Sequence, residues 1–188
     1  IEKQNLHVCV VGLGYVGLPL AVLLAKHFRV SGFDIDTKKI EEIKNAVDRT
    51  GEVSTEELRS SSLTCTSDAT IISQSDVIIV AVPTPVDETN TPDLRILEEA
   101  SQMVGEKIKD GATIVFESTV YPGATEEVCV PIIEKASSKK AGRDFFVGYS
   151  PERVNPGDKE NTIDKVTKII AGDCPQTSDL LEDVYGSI

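Results

Sequence analysis

Positive charge is what this chain has least of. Its 188 residues include 19 Lys or Arg against 31 Asp or Glu, a formal net charge of −12. That imbalance argues against nucleic acid as a partner. It also means that an anionic ligand must be held by local backbone dipoles and a few nearby cations. No apolar run approaches the roughly 20 residues a membrane-spanning helix needs, so no membrane role is expected. Ile1 to Asn5 are too polar for a signal peptide and lead straight into a strand, and the missing initiator Met is expected of a processed or trimmed chain. The four cysteines, Cys9, Cys65, Cys129 and Cys174, are far apart and form no CxxC pair. They read as reduced side chains of a cytoplasmic protein, neither a disulfide framework nor a zinc site. Of the two histidines, His7 opens the first strand at its wrong end and His27 closes the first helix, so neither is placed as a catalytic base.

What the chain does have is concentrated between His7 and Asp36. An apolar strand runs into Gly12-x-Gly14-x-x-Gly17, a helical pattern follows, and a second short strand ends at Asp34. Gly12 suits a tight turn, Gly14 lets the backbone approach a pyrophosphate, and Gly17 lets helix and strand pack closely. The helix N-terminus offers free N–H groups and a positive dipole end to the same anion. Asp34 lies 22 residues after Gly12, where a carboxylate can accept both hydroxyls of an adenosine ribose. A carboxylate there repels a 2′-phosphate, so NAD is expected over NADP. Together these features predict a dinucleotide-binding domain.

The remaining pattern alternates strands and helices. Helices are expected over Tyr15 to His27, with Val16, Leu20, Leu23, Leu24 and Phe28 on one apolar face, and over Thr37 to Ala46. A short capped helix is expected from Ser54 to Arg59, and Ser67-Asp68 opens another. Strands are expected at Val30 to Phe33, Leu63 to Thr66, Asp76 to Val82, Ala112 to Phe116, Phe145 to Tyr149 and near Lys168 to Ala171. Thr91-Pro92-Asp93 reads as an N-cap, a first-position proline and an early acid for a helix burying Leu94, Leu97, Val104 and Ile108. Ala124 to Ser137 is helical, with Pro131 kinking or restarting it. A long polar loop covers Asn155 to Asp164, and Pro175 to Tyr185 is a last helix. This is an α/β fold, a doubly wound and mostly parallel sheet. In such sheets ligands bind outside the carboxyl ends of the strands. Gly12, Asp34 and Thr84 follow the first, second and fourth strands, Ser118 and Thr119 the fifth, and Glu152 the sixth, so five loops converge on one edge. Taken singly, Pro83, Pro85 and Ser118-Thr119 also read as simple strand-ending turns.

With those pieces in place, the chain resembles the N-terminal half of the UDP-glucose/GDP-mannose dehydrogenase family. The matching stretches are Gly12 to Pro19, Phe33 to Asp36, Val82-Pro83-Thr84-Pro85, Ser118 to Gly123 and Ser150-Pro151-Glu152. The resemblance implies oxidation of the C6 hydroxyl of a nucleotide sugar to a carboxylate, with reduction of two NAD. It implies that Gly12, Gly14, Tyr15, Val16, Gly17 and Asp34 bind the cofactor, with Lys39 on the adenosine side. Val82, Pro83, Thr84, Ser118 and Thr119 would line the nicotinamide half. Thr119 and Glu152 would be catalytic, Glu152 ordering or activating water beside the reacting carbon. The run Pro151 to Asp158 departs from the UDP-glucose pattern, which has an aromatic and Leu after Pro-Glu. It is similar to the branch acting on UDP-N-acetylhexosamines (GlcNAc, GalNAc or ManNAc) in capsule and other surface polysaccharide synthesis. Arg153 is then either a contact to a substrate or cofactor phosphate or half of a surface ion pair.

In the family the thiol that attacks the C6 aldehyde lies in a downstream Gly-rich segment, and none of the four cysteines here sits in such a context. The expectation is therefore an NAD-binding domain, residues 1–174, with 175–188 beginning the helix that leads to a separate substrate domain. That helix is expected to leave apolar positions exposed for self-association, and the full-length protein to be a homodimer or larger. Three readings compete with this one. They are a UDP-glucose 6-dehydrogenase, a hydroxyacid or acyl-CoA dehydrogenase, and an NAD-sensing module with no catalysis of its own.

Overall fold

The computed structural model describes residues 6–85, 92–153, 163 and 165–188. The expected cap at Thr91 and most of the polar loop from Asn155 to Asp164, with Val154 before it, lie outside them. Among the described residues seven strands form one sheet: β1 His7–Val11, β2 Arg29–Phe33, β3 Thr64–Thr66, β4 Val77–Val80, β5 Thr113–Phe116, β6 Phe146–Tyr149 and β7 Ala171–Gly172. Their order is β3-β2-β1-β4-β5-β6-β7. The first six are parallel, and β7 joins β6 antiparallel. The helices are α1 Gly17–Leu24, α2 Thr37–Lys44, α3 Thr55–Ser60, α4 Arg95–Gly105, α5 Val130–Ser137 and α6 Pro175–Tyr185. The mostly parallel doubly wound sheet expected from the pattern is therefore present.

The central strands are apolar without a break because both faces are covered. Alternation still sorts them. Val8, Val10, Val77, Ile79 and Val115 face one core with α1 and α6. Cys9, Val11, Ile78, Val80, Ile114 and Phe116 face the other with Leu97 and Val104 of α4 and Ile133 of α5. Strand order reverses between β1 and β4, and there a Cβ on Gly12 would sit 2.8 Å from the Ala81 carbonyl oxygen. That switch point is where an open sheet leaves a crevice.

Several expectations are corrected. α1 spans Gly17–Leu24 and is buried nearly all round, where a helix with one apolar face was expected over Tyr15 to His27. Covered by the sheet and by the cluster that contains Leu181, Val184 and Tyr185, it has no solvent face to mark. Its last turn tightens, with Lys26 and His27 donating to Leu23 and Leu24. α4 starts at Arg95, three residues past Pro92, and Asp93 accepts from the Arg95 backbone N–H at 3.1 Å. Leu94 is half-buried and Ile108 lies beyond the helix end. Between Ala124 and α5 the chain widens into a π-helical turn, Thr125–Cys129, just before Pro131, so the proline restarts an α-helix. β7 is Ala171–Gly172, after Lys168, whose ammonium is drawn to Glu117 instead. The apolar positions of α6 are not exposed: Leu181, Val184 and Tyr185 are buried in the core.

Candidate functional site

The Gly-rich turn is built by contact. Gly12 has φ +91°, a left-handed conformation that suits glycine, and its N–H donates to the Phe33 carbonyl at 2.8 Å. Gly17 lies so close beneath it that an added Cβ would be 1.8 Å from the Gly12 oxygen. A Cβ on Gly14 would meet nothing within 4 Å. Gly12 and Gly17 are thus required by the protein itself, whereas Gly14 borders open space above the first turn of α1. The positive dipole end of α1 lies beside that space, although the Leu18 N–H donates to the Gly14 carbonyl at 3.1 Å and Pro19 has no N–H to offer. The cradle fits a pyrophosphate.

Asp34 ends β2 and turns back under this loop. One carboxylate oxygen accepts from the Leu13 N–H at 2.9 Å and from Lys39 Nζ at 2.6 Å; the other accepts from the Asp36 N–H at 2.9 Å. The carboxylate is held rigid at the mouth of the crevice. Asp36 caps α2 through the Lys38 and Lys39 N–H groups, which fixes the helix that delivers Lys39.

Three more loops are tied to one another by hydroxyl groups. Ser118 Oγ donates to the Val82 carbonyl at 2.8 Å, Thr84 Oγ1 to the Thr119 carbonyl at 2.9 Å, and Thr119 Oγ1 to the Glu152 carbonyl at 3.5 Å. The segments after β4, β5 and β6 therefore form one wall. Facing the Gly-rich turn, they enclose a cavity of about 450 Å³. Gly12, Gly14, Tyr15 and Val16 line it, as do Asp34 and Lys39, Val82 to Thr84, Ser118, Thr119 and Glu152. Every cofactor-site residue expected from the sequence lines this cavity except Gly17, which supports it from below. Arg153 does not line it; exposed, it reaches the Thr167 carbonyl at 3.5 Å.

A second cavity of about 550 Å³ adjoins the first past Asp34. Its walls are Phe33 at the end of β2, Ile35 just after it, and Ile96, Ala100 and Met103 on α4. Ile35 and Ile96 are exposed apolar side chains, 80% and 39% accessible, and both border this groove. An apolar slot beside a carboxylate suits a flat heterocycle joined to a diol. Sequence reading missed these residues because a single exposed isoleucine carries no signal.

It also missed Glu117. This carboxylate is fully buried on the floor of the first cavity, paired with Lys168 and accepting from Tyr185 Oη. Burial pushes its pKa up, and Lys168 and Tyr185 oppose that. The one available hint was an acid directly after an apolar strand. Cysteine chemistry is absent from the cavity lining. Cys9, Cys65 and Cys129 are buried, and burial pushes their thiols up to about 12, 11 and 11. Among the described residues no group of His, Cys, Asp and Glu is arranged to hold a metal ion, and no helix is long and apolar enough to cross a membrane.

Comparison with known proteins agrees with this geometry. Protein CapL of Staphylococcus aureus is 50% identical over 185 residues, covering 98% of this chain and 44% of CapL. The UDP-N-acetyl-D-glucosamine 6-dehydrogenase of Pseudomonas aeruginosa is 47% identical, with 98% and 44% covered. Among solved structures, the UDP-D-ManNAc dehydrogenase of Pyrococcus horikoshii superposes with TM-score 0.86 at 34% identity, over 97% of this chain and 44% of that one. The chain thus spans 44% of the length of these relatives. The family profile described as "UDP-glucose/GDP-mannose dehydrogenase family, NAD binding domain" matches residues 6–188. This chain belongs to that family and is an NAD-binding domain of it.

Proposed function

We propose that this chain is the cofactor half of an NAD-dependent 6-dehydrogenase that oxidises a UDP-N-acetylhexosamine to the uronate, for surface polysaccharide synthesis. The observation that carries the reading is the wall made by Thr84, Thr119 and Glu152, which places a carboxylate-bearing loop on the cavity opposite the phosphate cradle. Similarity to a UDP-N-acetyl-D-glucosamine 6-dehydrogenase and to CapL supports the substrate class.

In this reading the apolar slot between Ile35 and Ile96 takes the adenine, and Asp34, braced by Lys39, takes the ribose hydroxyls. The first turn of α1 takes the pyrophosphate. Bound NAD supplies a hydride acceptor at its nicotinamide. Thr84, Ser118 and Thr119 orient that ring by fixing the three loops to one another. Glu152 stands next to the reacting carbon and holds or deprotonates water. Arg153, exposed at the rim, meets a phosphate of the incoming nucleotide sugar. The nucleophilic thiol belongs to a segment beyond these 188 residues, consistent with three buried, protonated thiols among the four here. We place the reaction in the cytoplasm and the full-length protein in a homodimer or larger assembly.

The test is a panel of UDP-GlcNAc, UDP-GalNAc, UDP-ManNAc, UDP-glucose and simple hydroxyacids given to the full-length protein with NAD, reading NADH. The reading requires turnover on a UDP-N-acetylhexosamine above all others. Preference for UDP-glucose would move it to the neighbouring branch, and turnover on a hydroxyacid alone would overturn it. NAD binding without turnover on any member would favour the sensing module.

A further inference from the structure

Beneath the wall described above, three distant segments meet. Glu117 comes from the end of β5, Lys168 from the approach to β7 and Tyr185 from the last turn of α6. The Glu117 side chain is wholly buried and that of Lys168 is 9% exposed, so the pair is shut off from solvent. Tyr185 Oη donates to the second Glu117 oxygen, and Lys168 Nζ lies 5.4 Å from the centre of the Tyr185 ring. Taking an acid and an ammonium out of water is costly, and hydrophobic residues of similar size commonly do as well for stability. Packing alone therefore gives a weak reason for charges here.

Placement gives a better one. Glu117 directly precedes Ser118-Thr119 and lines the same cavity as Glu152, and the two carboxylates repel one another. Tyr185 is also within reach of the Glu152 charge. A bare Glu117 would thus put a like charge beside the acid at the reacting carbon.

We propose that Lys168 and Tyr185 are positioning residues for this site: through Glu117 they form a charge-neutral buried floor that shields Glu152 from a neighbouring carboxylate. The importance of Glu152 rests on the function proposed above; the floor itself rests on the ion pair and its burial. The Glu152 charge adds to the burial that pushes the Glu117 pKa up, so the two carboxylates interact across the cavity floor. The charged groups described around it are Glu117 just after β5, Glu152 after β6 and Lys168 before β7, and the neutral titratable group is Tyr185 on α6.

The test uses the full-length protein and four variants, Lys168→Met, Glu117→Gln, the double variant, and Tyr185→Phe. Lys168→Met leaves Glu117 without its counter-charge, so wherever Glu117 is ionised a surplus negative charge faces Glu152 and the acid limb of kcat moves upward by about one pH unit. Glu117→Gln leaves a surplus positive charge and moves it downward. The double variant exchanges a neutral pair for a neutral pair and restores the wild-type limb. Tyr185→Phe shifts it upward by less than Lys168→Met. Shifts in the same direction for the first two, or a double variant that restores nothing, would overturn the proposal. If Lys168→Met does not fold, the double variant and Tyr185→Phe decide it. A second readout needs no turnover: the ¹³C carboxyl signal of Glu117, assigned by its loss in Glu117→Gln, must titrate at higher pH in Tyr185→Phe and Lys168→Met than in wild type. An unmoved signal overturns the floor even in an active enzyme. A protein that oxidises no nucleotide sugar overturns the proposed function and leaves the floor to be decided by this titration.

Discussion

Gly17 packs so tightly under Gly12 that a single added methyl would come within 1.8 Å of the Gly12 carbonyl oxygen. Gly14, between them, has nothing within 4 Å of its missing side chain. The three glycines of one motif therefore do different things, and substitution separates them. Gly17→Ala should cost about 3 kcal/mol or more, because backbone atoms must move. Gly14→Ala should change stability by less than about 1 kcal/mol but weaken NAD tenfold or more, because its Cβ fills the approach to the pyrophosphate. Thermal melts with and without NAD read both quantities. Equal stability loss in the two variants would contradict the division.

Asp34 is held at the mouth of the cavity by three donors, the Leu13 and Asp36 N–H groups and Lys39. Asp34→Ala should lower NAD affinity at least tenfold, about 1.4 kcal/mol. It should also cost about 1–3 kcal/mol of stability through the donors left unpaired. Calorimetric titration of wild type and variant checks the first effect and chemical unfolding the second. Unchanged NAD affinity would remove Asp34 from the ribose.

Much of this site was legible because its residues announce themselves locally. Gly12, Gly14 and Gly17 are read from turn chemistry. Thr84, Ser118, Thr119 and Glu152 are read from lying where apolar strands stop. Glu117 was not legible as a functional residue, since its partners Lys168 and Tyr185 are 51 and 68 residues away and nothing local marks the pairing. Ile35 and Ile96 were missed for a related reason: the groove exists only once the end of β2 and the side of α4 are brought together. In the fold, α6 was placed at Pro175 to Tyr185, as found, because a proline starts it. The ends of α1 were misplaced because a helix buried on every side loses the periodicity that marks its limits.

His7, at the opposite end of the sheet from the cavity, gives the fold a pH dependence. It is buried, with Nδ1 3.2 Å from the Gln74 carbonyl and Nε2 2.9 Å from Ser31 Oγ. A neutral ring satisfies both contacts, donating at one nitrogen and accepting at the other. Burial lowers its pKa below the ordinary 6.5, against the Gln74 carbonyl, which raises it. The unfolded chain then binds more protons than the folded one just below pH 6.5, so stability rises with pH in that range. The His7 contribution is fully present above 6.5 and is lost as pH falls through it toward the folded value. His7→Gln should flatten the slope of unfolding free energy just below pH 6.5 relative to wild type. Parallel slopes would show that the ring does not titrate on unfolding.

The cysteines should divide by access. Cys9, Cys65 and Cys129 are buried, with thiols pushed well above neutral pH, whereas Cys174 is half-buried beside Thr177. Alkylation of the native protein at pH 7.5 followed by peptide mapping should label Cys174 at least tenfold faster than the other three. Fast labelling of Cys9 or Cys129 would mean that the core opens near the site.

The most direct test of the functional account is the stoichiometry of the reaction itself. Full-length protein, a limiting amount of UDP-N-acetylhexosamine and excess NAD should yield two NADH for each sugar consumed, with the C6 carboxylate confirmed by mass spectrometry. One NADH per sugar with an aldehyde product, or no NADH from any UDP-N-acetylhexosamine, would contradict it.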